Sequence, residues 1–162
     1  MAGVDKETSR ILTEFILWDL YAFADNNSTE ATPKVIVLDE VQNLDHSQDA
    51  PLGKILREGR KFGLSVIAAT QTLSNLKKEE QAQLFQAAHK LFFQPAGPEL
   101  AQYAEIAVQF ANNGTKESWK TKLSALNKGE CLSIGPVLNE QTGKLRTEVH
   151  KIKIAALTER GF

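Results

Sequence analysis

Two neighbouring carboxylates, Asp39 and Glu40, are the residues of this chain best placed to do chemistry, because they directly follow a short apolar run. That run, residues 35–38, is typical of a buried parallel strand, and such strands deliver the next residues to the carboxyl edge of a sheet. A carboxylate at this edge can hold Mg²⁺ through water, and its neighbour can orient or deprotonate an attacking water. The pattern predicts a site for a metal ion and a reactive water.

A second apolar run, residues 64–69, ends in Thr70 and Gln71. The interval between the two runs has the length of a crossover helix, so the two strands should be parallel and should end at the same edge of the sheet. A neutral amide at that edge can sense a γ-phosphate or hold the attacking water without competing for the metal. The alternative for Thr70 and Gln71 is a polar strand end that caps a turn.

The crossover helix is predicted to begin at Pro51 and to run to Phe62, with Gly63 as its stop. Arg57 and Arg60 lie on its polar side, opposite the apolar one. A solvated helix face explains them. An arginine in this position can also reach the nucleotide of a neighbouring subunit and stabilise charge on the transferring phosphate, so both interpretations stay open.

The sequence has no phosphate-gripping segment of the form G-x-x-x-x-G-K-S/T, in which backbone amides cradle phosphates and the lysine supplies charge. Residues 114–116 lack the paired glycine, and Gly143-Lys144 is followed by leucine. The acidic strand end therefore predicts a Walker B element without its Walker A partner. We interpret the chain as the rear part of a nucleotide-hydrolysing domain.

Composition limits the partners and the compartment. The net charge of −1 excludes steering of nucleic acid by an overall positive field, so any such contact must come from a local patch. The lone Cys131 argues against a disulfide framework and fits a reducing cytosol, with a small buried hydrophobe as its simplest interpretation. Acidic residues interrupt the apolar stretch over 11–24, which predicts an amphipathic core helix rather than a membrane segment, and hence a cytoplasmic protein.

The helix at the start of the chain should pack on a sheet face and end at residues 26–28. Its apolar residues recur at helical spacing in two rows, Ile11, Phe15, Trp18 and Ala22, and Leu12, Ile16, Leu20 and Phe23. Further helices are predicted over 78–89, 97–110 and 116–126, with a breaker at 112–114, and a short strand over 91–93. Two extended runs, 131–138 and 145–155, flank a turn and predict a closing antiparallel hairpin.

Four isolated side chains have competing interpretations. His46 lies in a polar loop near the acidic pair and could join catalysis, although a loop histidine is more often exposed. His89 and His150 have no second ligand at metal-binding spacing, which argues against a metal site there. Trp119, among lysines, could stack on nucleic acid, but a buried tryptophan on an amphipathic helix is the preferred interpretation.

Residues 35–76 resemble the Walker B to sensor region of the HerA and FtsK superfamily of DNA-translocating ATPases. The resemblance rests on the Leu-Asp-Glu strand end at 38–40, the Arg-Glu-Gly-Arg-Lys-Phe-Gly helix end at 57–63 and the Ala-Thr-Gln strand end at 69–71, in the same order and at similar spacing. Residues 126–131 are similar to the start of that family's last strands. Among members, the chain resembles the C-terminal end of HerA-like proteins of DNA-phosphorothioation-dependent restriction systems.

The resemblance implies an α/β, RecA-like P-loop NTPase fold, with a parallel sheet flanked by helices. Residues 1–162 would be the C-terminal half of this domain, incomplete without the Walker A half and closed by a β-hairpin over 128–156. In the intact protein, ATP and Mg²⁺ are implied as ligands. Asp39 would hold the metal through water, Glu40 would activate water, Thr70 and Gln71 would sense the nucleotide, and Arg60, with Arg57 beside it, would act in trans.

The partners implied are duplex DNA, further copies of the chain in a hexameric ring, and proteins of a restriction complex, with no membrane. Two alternatives stay open. A catalytically silent interaction module could keep a RecA-like half-fold to bind partner subunits. A helicase of the DEAD-box type also closes a Walker B strand with Asp-Glu, but Val41 and Gln42 fit its motif poorly.

Overall fold

A computed structural model describes residues 5–26, 33–111 and 113–155, which fall into two units, Met1–Gln86 and Ala87–Phe162. Within these described ranges, no helix combines the length and the apolar character that crossing a bilayer requires. Helices and strands alternate in the first unit, and a hairpin ends the described part of the second. The α/β class predicted from the sequence is therefore confirmed.

The first unit contains the predicted β-α-β arrangement. Its elements are α1 (Lys6–Asn26), β1 (Lys34–Leu38), α2 (Pro51–Glu58), β2 (Leu64–Ala68) and α3 (Lys78–Leu84), with a 3₁₀ turn at Val41–Asn43 and another, Gly59–Phe62, that extends α2. Strands β1 and β2 are parallel and pair in register from Lys34 opposite Leu64 to Leu38 opposite Ala68. The crossover helix thus returns the chain to the start of a neighbouring strand, as parallel pairing requires.

Gly63 ends the crossover helix, as predicted. Its φ of 70° is in the left-handed region, where glycine has no side chain to clash. The carbonyl oxygen of Gly63 then accepts a hydrogen bond of 2.9 Å from the amide of Lys34, which ties the helix end to the first residue of β1. This contact starts the pairing of the two strands.

Helix α1 forms where it was predicted, but its burial differs from the expectation. Leu17 and Ala24 are the buried residues of its described part, and the hydroxyl of Tyr21 donates to Glu58 of α2. The predicted apolar rows stay largely outside, with Phe15 65%, Ile16 59% and Phe23 56% exposed. The helix therefore packs through the face opposite to the two rows. Residues 27 and 28, where its end was also expected, lie outside the described residues.

The parallel strands are covered on one face. Alternate side chains Ile36, Leu38 and Val66 pack against a core formed by Leu17, Ala24, Val41, Leu52, Ile55 and Leu64. The other face is apolar and open, because Val35, Val37 and Ile67 are 60%, 71% and 59% exposed. Strand side chains alternate between faces, so one row is buried and the next is not.

The second unit is an antiparallel sheet with two helices. Strands β3 (Lys90–Phe92), β4 (Glu130–Asn139) and β5 (Lys144–Lys153) are paired in that order, and α4 (Leu100–Ala111) and α5 (Lys116–Ser124) lie between β3 and β4 in the chain. The predicted closing hairpin is confirmed by the β4–β5 pairing, from Glu130 opposite Lys153 to Asn139 opposite Lys144. Residue 156, the last of the predicted hairpin, and residue 112 of the predicted breaker lie outside the described part.

Two predicted helices differ in extent. The helix expected over 78–89 ends at Leu84, since the amide of Gln86 bonds back to Gln83 in a tighter turn just before the chain passes into the second unit. The helix expected to begin at residue 97 opens as a 3₁₀ turn, Gly97–Glu99, and continues as α4. Helix ends commonly tighten in this way because their last backbone groups lack helical partners.

Trp119 is a core residue, which confirms the preferred interpretation. Its side chain is fully buried, and its indole Nε1 donates a hydrogen bond of 2.8 Å to the carbonyl oxygen of Asn113. Stacking on nucleic acid would need an exposed ring. Cys131 is likewise buried and free of disulfides, and burial raises the pKa of its thiol.

Gly53 of α2 makes a close approach that a larger residue would block. A methyl group there would overlap the carbonyl oxygen of Ser47, whereas a methyl group at Gly97 would meet nothing within 4 Å. We expect Gly53→Ala to lower the free energy of unfolding by about 1–3 kcal/mol, since overpacking forces backbone shifts. Urea unfolding measures this, with Gly97→Ala as the neutral control. Equal stability of the two variants would contradict the close approach.

Glu130 at the start of β4 predicts an acid-dependent contribution to stability. Hydrogen bonds from Lys151 and Asn127 lower the pKa of Glu130 from 4.5 to about 2. A lowered pKa stabilises the fold above the ordinary value, and the effect is lost as the carboxylate is protonated in the folded protein. Glu130→Gln should therefore be less stable than the wild type at neutral pH, and the gap should close between pH 4.5 and 2.

Urea unfolding across that range measures the gap. Glu140→Gln is the matched control, because Glu140 makes no hydrogen bond or ion pair within the described residues. A gap for Glu130→Gln that stays constant with pH would contradict the assignment.

Candidate functional site

The parallel ladder continues past the ends of both strands. The amide of Ala69 donates to the carbonyl oxygen of Leu38 at 2.8 Å, and the amide of Val41 donates to the carbonyl oxygen of Ala69 at 3.0 Å. Both bonds are made by Ala69, the residue before Thr70, and on the other segment they enclose Asp39 and Glu40. The backbone therefore brings the two predicted polar strand ends side by side at the carboxyl edge of the sheet.

Glu40 has an unusual backbone conformation. With φ 56° and ψ 39° it is left-handed, and it is the one residue other than glycine with a positive φ in the described ranges. This region costs an L-residue with a Cβ about 1–2 kcal/mol. Strain of this kind persists where the surroundings determine the conformation, and it is frequent at functional sites.

Both oxygens of the Glu40 carboxylate are held by neutral amides. Gln71 Nε2 donates to Oε1, and Gln42 Nε2 donates to Oε2 at 2.8 Å. Thr70 Oγ1 donates to Gln42 Oε1 at 2.7 Å, so Thr70 reaches the carboxylate through Gln42. Amide donors orient a carboxylate without neutralising it, and each oxygen keeps a lone pair that can accept a proton from water.

Gln42 is a member of this network that the sequence reasoning missed. In the sequence it stands out only as a poor fit to the DEAD-box motif. Its signal in the sequence is an amide side chain two residues after Glu40, which the 3₁₀ turn at Val41–Asn43 folds back towards the carboxylate. Spacing alone does not specify this turn, because it depends on the left-handed residue that starts it.

Asp39 is positioned differently from its neighbour. Its side chain is exposed, and Oδ1 accepts a bond of 2.9 Å from the amide of Glu40, while Oδ2 has no partner among the described residues. An exposed carboxylate with a free oxygen is the donor that Mg²⁺ uses when it keeps most of its waters and takes its other ligands from a phosphate. The carboxylate of Asp39 therefore fits a Mg²⁺ ion that is bound at the same time by the phosphates of a nucleotide. No cluster of three acidic, histidine or cysteine side chains that could hold a metal on its own occurs in the described ranges.

A cleft of about 340 Å³ lies beside the two carboxylates. The first turns of α1 form its other side, through side chains that recur at helical spacing, Lys6, Ser9, Arg10 and Thr13. Arg10 pairs with Glu14 at 3.1 Å, and Glu14 also accepts from the amide of Asp45. The cleft thus presents carboxylates on one wall and cations and hydroxyls on the other. The sequence does not indicate these α1 residues as part of a site, because the apolar rows are the stronger pattern in that helix.

Arg57 and Arg60 are not joined to the acidic pair in this chain. The guanidinium of Arg57 donates to the carbonyl oxygen of Gln48 at 2.9 Å and lies 3.7 Å from Glu58. Arg60 is exposed and lies three residues before Gly63. The carbonyl oxygen of Gly63 bonds to Lys34, so Arg60 lies near the amino end of β1. The five residues of β1 span about 16 Å at the usual rise per residue, so Arg60 belongs to the opposite edge of the sheet from Glu40.

His46, the loop histidine, is buried rather than exposed. Its side chain is 1% exposed, and Nε2 lies 2.7 Å from the carbonyl oxygen of Val41. The loop therefore folds inward, over the turn that follows Glu40. His89 and His150 are both exposed, and the ring of His150 bonds to Glu148.

Comparison with protein families identifies the class of the domain. The AAA-like domain family matches residues 4–150, most of the chain. The chain therefore belongs to this family of P-loop ATPases, which includes FtsK-type and HerA-type members. A comparison with curated proteins found no match. Membership implies a nucleotide ligand, usually with Mg²⁺.

The conformation of Glu40 can be tested by two substitutions that remove the same hydrogen bonds. Glu40→Ala keeps the Cβ and its left-handed cost, whereas Glu40→Gly removes both the carboxylate and that cost. We expect the glycine variant to be more stable than the alanine variant by about 1–2 kcal/mol in urea unfolding. An alanine variant more stable than the glycine variant would contradict the left-handed conformation, because glycine loses more backbone entropy on folding in ordinary conformations.

Proposed function

We propose that this chain is the C-terminal half of the motor domain of a HerA-type DNA-translocating ATPase. The observation that carries the proposal is the hydrogen bond between Gln71 and Glu40, which joins the ends of two adjacent parallel strands around one carboxylate. A base at one strand end and a sensor at the next is the arrangement that hydrolysis of a γ-phosphate requires. Membership of a P-loop ATPase family supports the same chemistry.

In this proposal each strand end has a separate task. Asp39 would hold Mg²⁺ through water, because one of its oxygens is free and exposed. Glu40 accepts the proton of the attacking water, and the amides of Gln42 and Gln71 fix the direction of its lone pairs. The Gln71 amide can bond to Glu40 or to a γ-phosphate oxygen, so nucleotide binding and water activation are coupled through this side chain.

The phosphates would be gripped by a Walker A element in the other half of the domain. Two observations support this. The sequence contains no phosphate-loop pattern, and the open face of the β1–β2 sheet is apolar, with Val35, Val37 and Ile67 exposed. An apolar sheet face of this kind is usually covered by helices in parallel α/β folds.

For the arginine that acts in trans, Arg60 is the better candidate. Arg57 is engaged by Gln48 and Glu58, whereas Arg60 makes no side-chain hydrogen bond or ion pair within the described residues. An unengaged, exposed arginine at the edge opposite to its own Glu40 suits a neighbour's nucleotide in a ring. Hexameric assembly around duplex DNA is a further part of the proposal and rests on the sequence resemblance.

The finer assignment rests on sequence resemblance alone. We infer that the parent is a DptH-type protein of a phosphorothioation-dependent restriction system, which acts in the cytoplasm with the other proteins of that system. A catalytically silent interaction module is the second candidate. The open apolar face of β1 and β2 favours it, because such a face can bind a partner.

ATP turnover of the intact protein, with and without duplex DNA, tests the proposal. We expect turnover to be stimulated by DNA, and Glu40→Gln to lower kcat by about 10²- to 10⁴-fold because the base is lost. Arg60→Ala should lower kcat on the order of 10³-fold or more. Lys61→Ala is the matched control, since Lys61 is an exposed cation of the same turn.

Mixing the two inactive variants separates action in trans from action within one subunit. A mixed ring contains interfaces that combine an intact Arg60 from one copy with an intact Glu40 from the next, so part of the activity should return. No recovery would place Arg60 in its own subunit's mechanism. Inactive wild-type protein would favour the interaction module.

A further inference from the structure

The side chain of His46 makes one hydrogen bond within the described residues. This bond goes to the turn that follows Glu40. The ring is 1% exposed, its Nε2 lies 2.7 Å from the carbonyl oxygen of Val41, and its Nδ1 has no partner in the described part of the chain. A carbonyl oxygen can only accept, so Nε2 carries the proton of this bond. The imidazole is therefore a donor aimed at one backbone oxygen.

That oxygen belongs to the peptide plane between Val41 and Gln42. It also accepts a bond of 3.0 Å from the amide of Leu44, so two donors fix its direction. Because the peptide group is planar, a fixed oxygen fixes the plane and thereby the start of the Gln42 side chain. Gln42 Nε2 in turn donates to Glu40 Oε2 at 2.8 Å. A continuous path of bonds connects the imidazole to the carboxylate.

We propose that His46 is a positioning residue for Glu40, acting through the Val41 carbonyl and Gln42. The left-handed backbone of Glu40 makes such support necessary, because this conformation is costly and persists only when its neighbours determine it. The catalytic consequence rests on the proposed ATP hydrolysis, whereas the bonding path from His46 does not.

Two substitutions of similar polarity separate the donor from the rest of the ring. The amide nitrogen of a glutamine lies as many bonds from Cβ as Nε2 of histidine, so His46→Gln keeps a donor for the Val41 carbonyl. The amide nitrogen of an asparagine corresponds to Nδ1, so His46→Asn loses that donor. If His46 only filled space, His46→Gln would not be closer to the wild type than His46→Asn.

In the intact protein, His46→Asn should lower kcat for ATP by about 10- to 100-fold, because a misplaced base is inefficient. The KM for ATP should change little, since no phosphate contact is removed. His46→Gln should stay close to the wild type. Ile55→Ala, in the core of the first unit, controls for loss of stability alone and should keep its kcat. Equal kcat values for the asparagine variant and the wild type, or equal losses in both His46 variants, would overturn the proposal.

Hydrogen–deuterium exchange of the peptide covering residues 41–46 gives a readout that does not depend on turnover. The amides of Asn43 and Leu44 are bonded within the turn that His46 holds. They should exchange faster in His46→Asn and at the wild-type rate in His46→Gln. Unchanged exchange in the asparagine variant would overturn the positioning path even if ATP is hydrolysed. Absence of ATP turnover in the wild type, with the exchange difference present, would overturn the catalytic role together with the proposed function and leave the path intact.

Discussion

The parallel pairing of β1 and β2 is the constraint on which the candidate site depends. Because the two strands are in register, their backbone ladder runs on through Leu38, Ala69 and Val41 and ends both strands at one level. Glu40 and Gln71 are 31 residues apart in the chain, yet this ladder brings their side chains into contact. The crossover helix and its glycine stop matter to the site chiefly because they set that register.

The site is built from strain and from the contacts that hold it. A left-handed Glu40 turns its carboxylate back towards Gln42 and Gln71. Thr70 and the buried His46 both bond to residues of the 3₁₀ turn that follows Glu40 and support this conformation. Natural sequences break local rules where function needs an unusual geometry, and the surrounding structure then determines it. Neutral amides are suited to this support, since they direct the carboxylate without forming an ion pair that would compete with a metal or a proton.

Packing in the first unit is one-sided. One face of the β1–β2 sheet is buried against α1 and α2, while the other face and the two predicted apolar rows of α1 are open. Apolar area of this extent usually marks a surface that binds something. In the proposed function, the open face and the sequence without a phosphate loop are both attributed to the other half of the domain.

The sequence by itself determined the α/β class, the parallel β-α-β unit, the closing hairpin and the strand-end positions of Asp39, Glu40, Thr70 and Gln71, because apolar periodicity and glycine or proline punctuation are local signals. Only the tertiary structure decided that Gln42 holds Glu40, that Lys6 and Arg10 line the cleft, that His46 is buried, and which stripe of α1 faces the core. The physical reason is that these outcomes depend on one left-handed residue and on contacts between segments distant in the chain, and neither is encoded in local spacing.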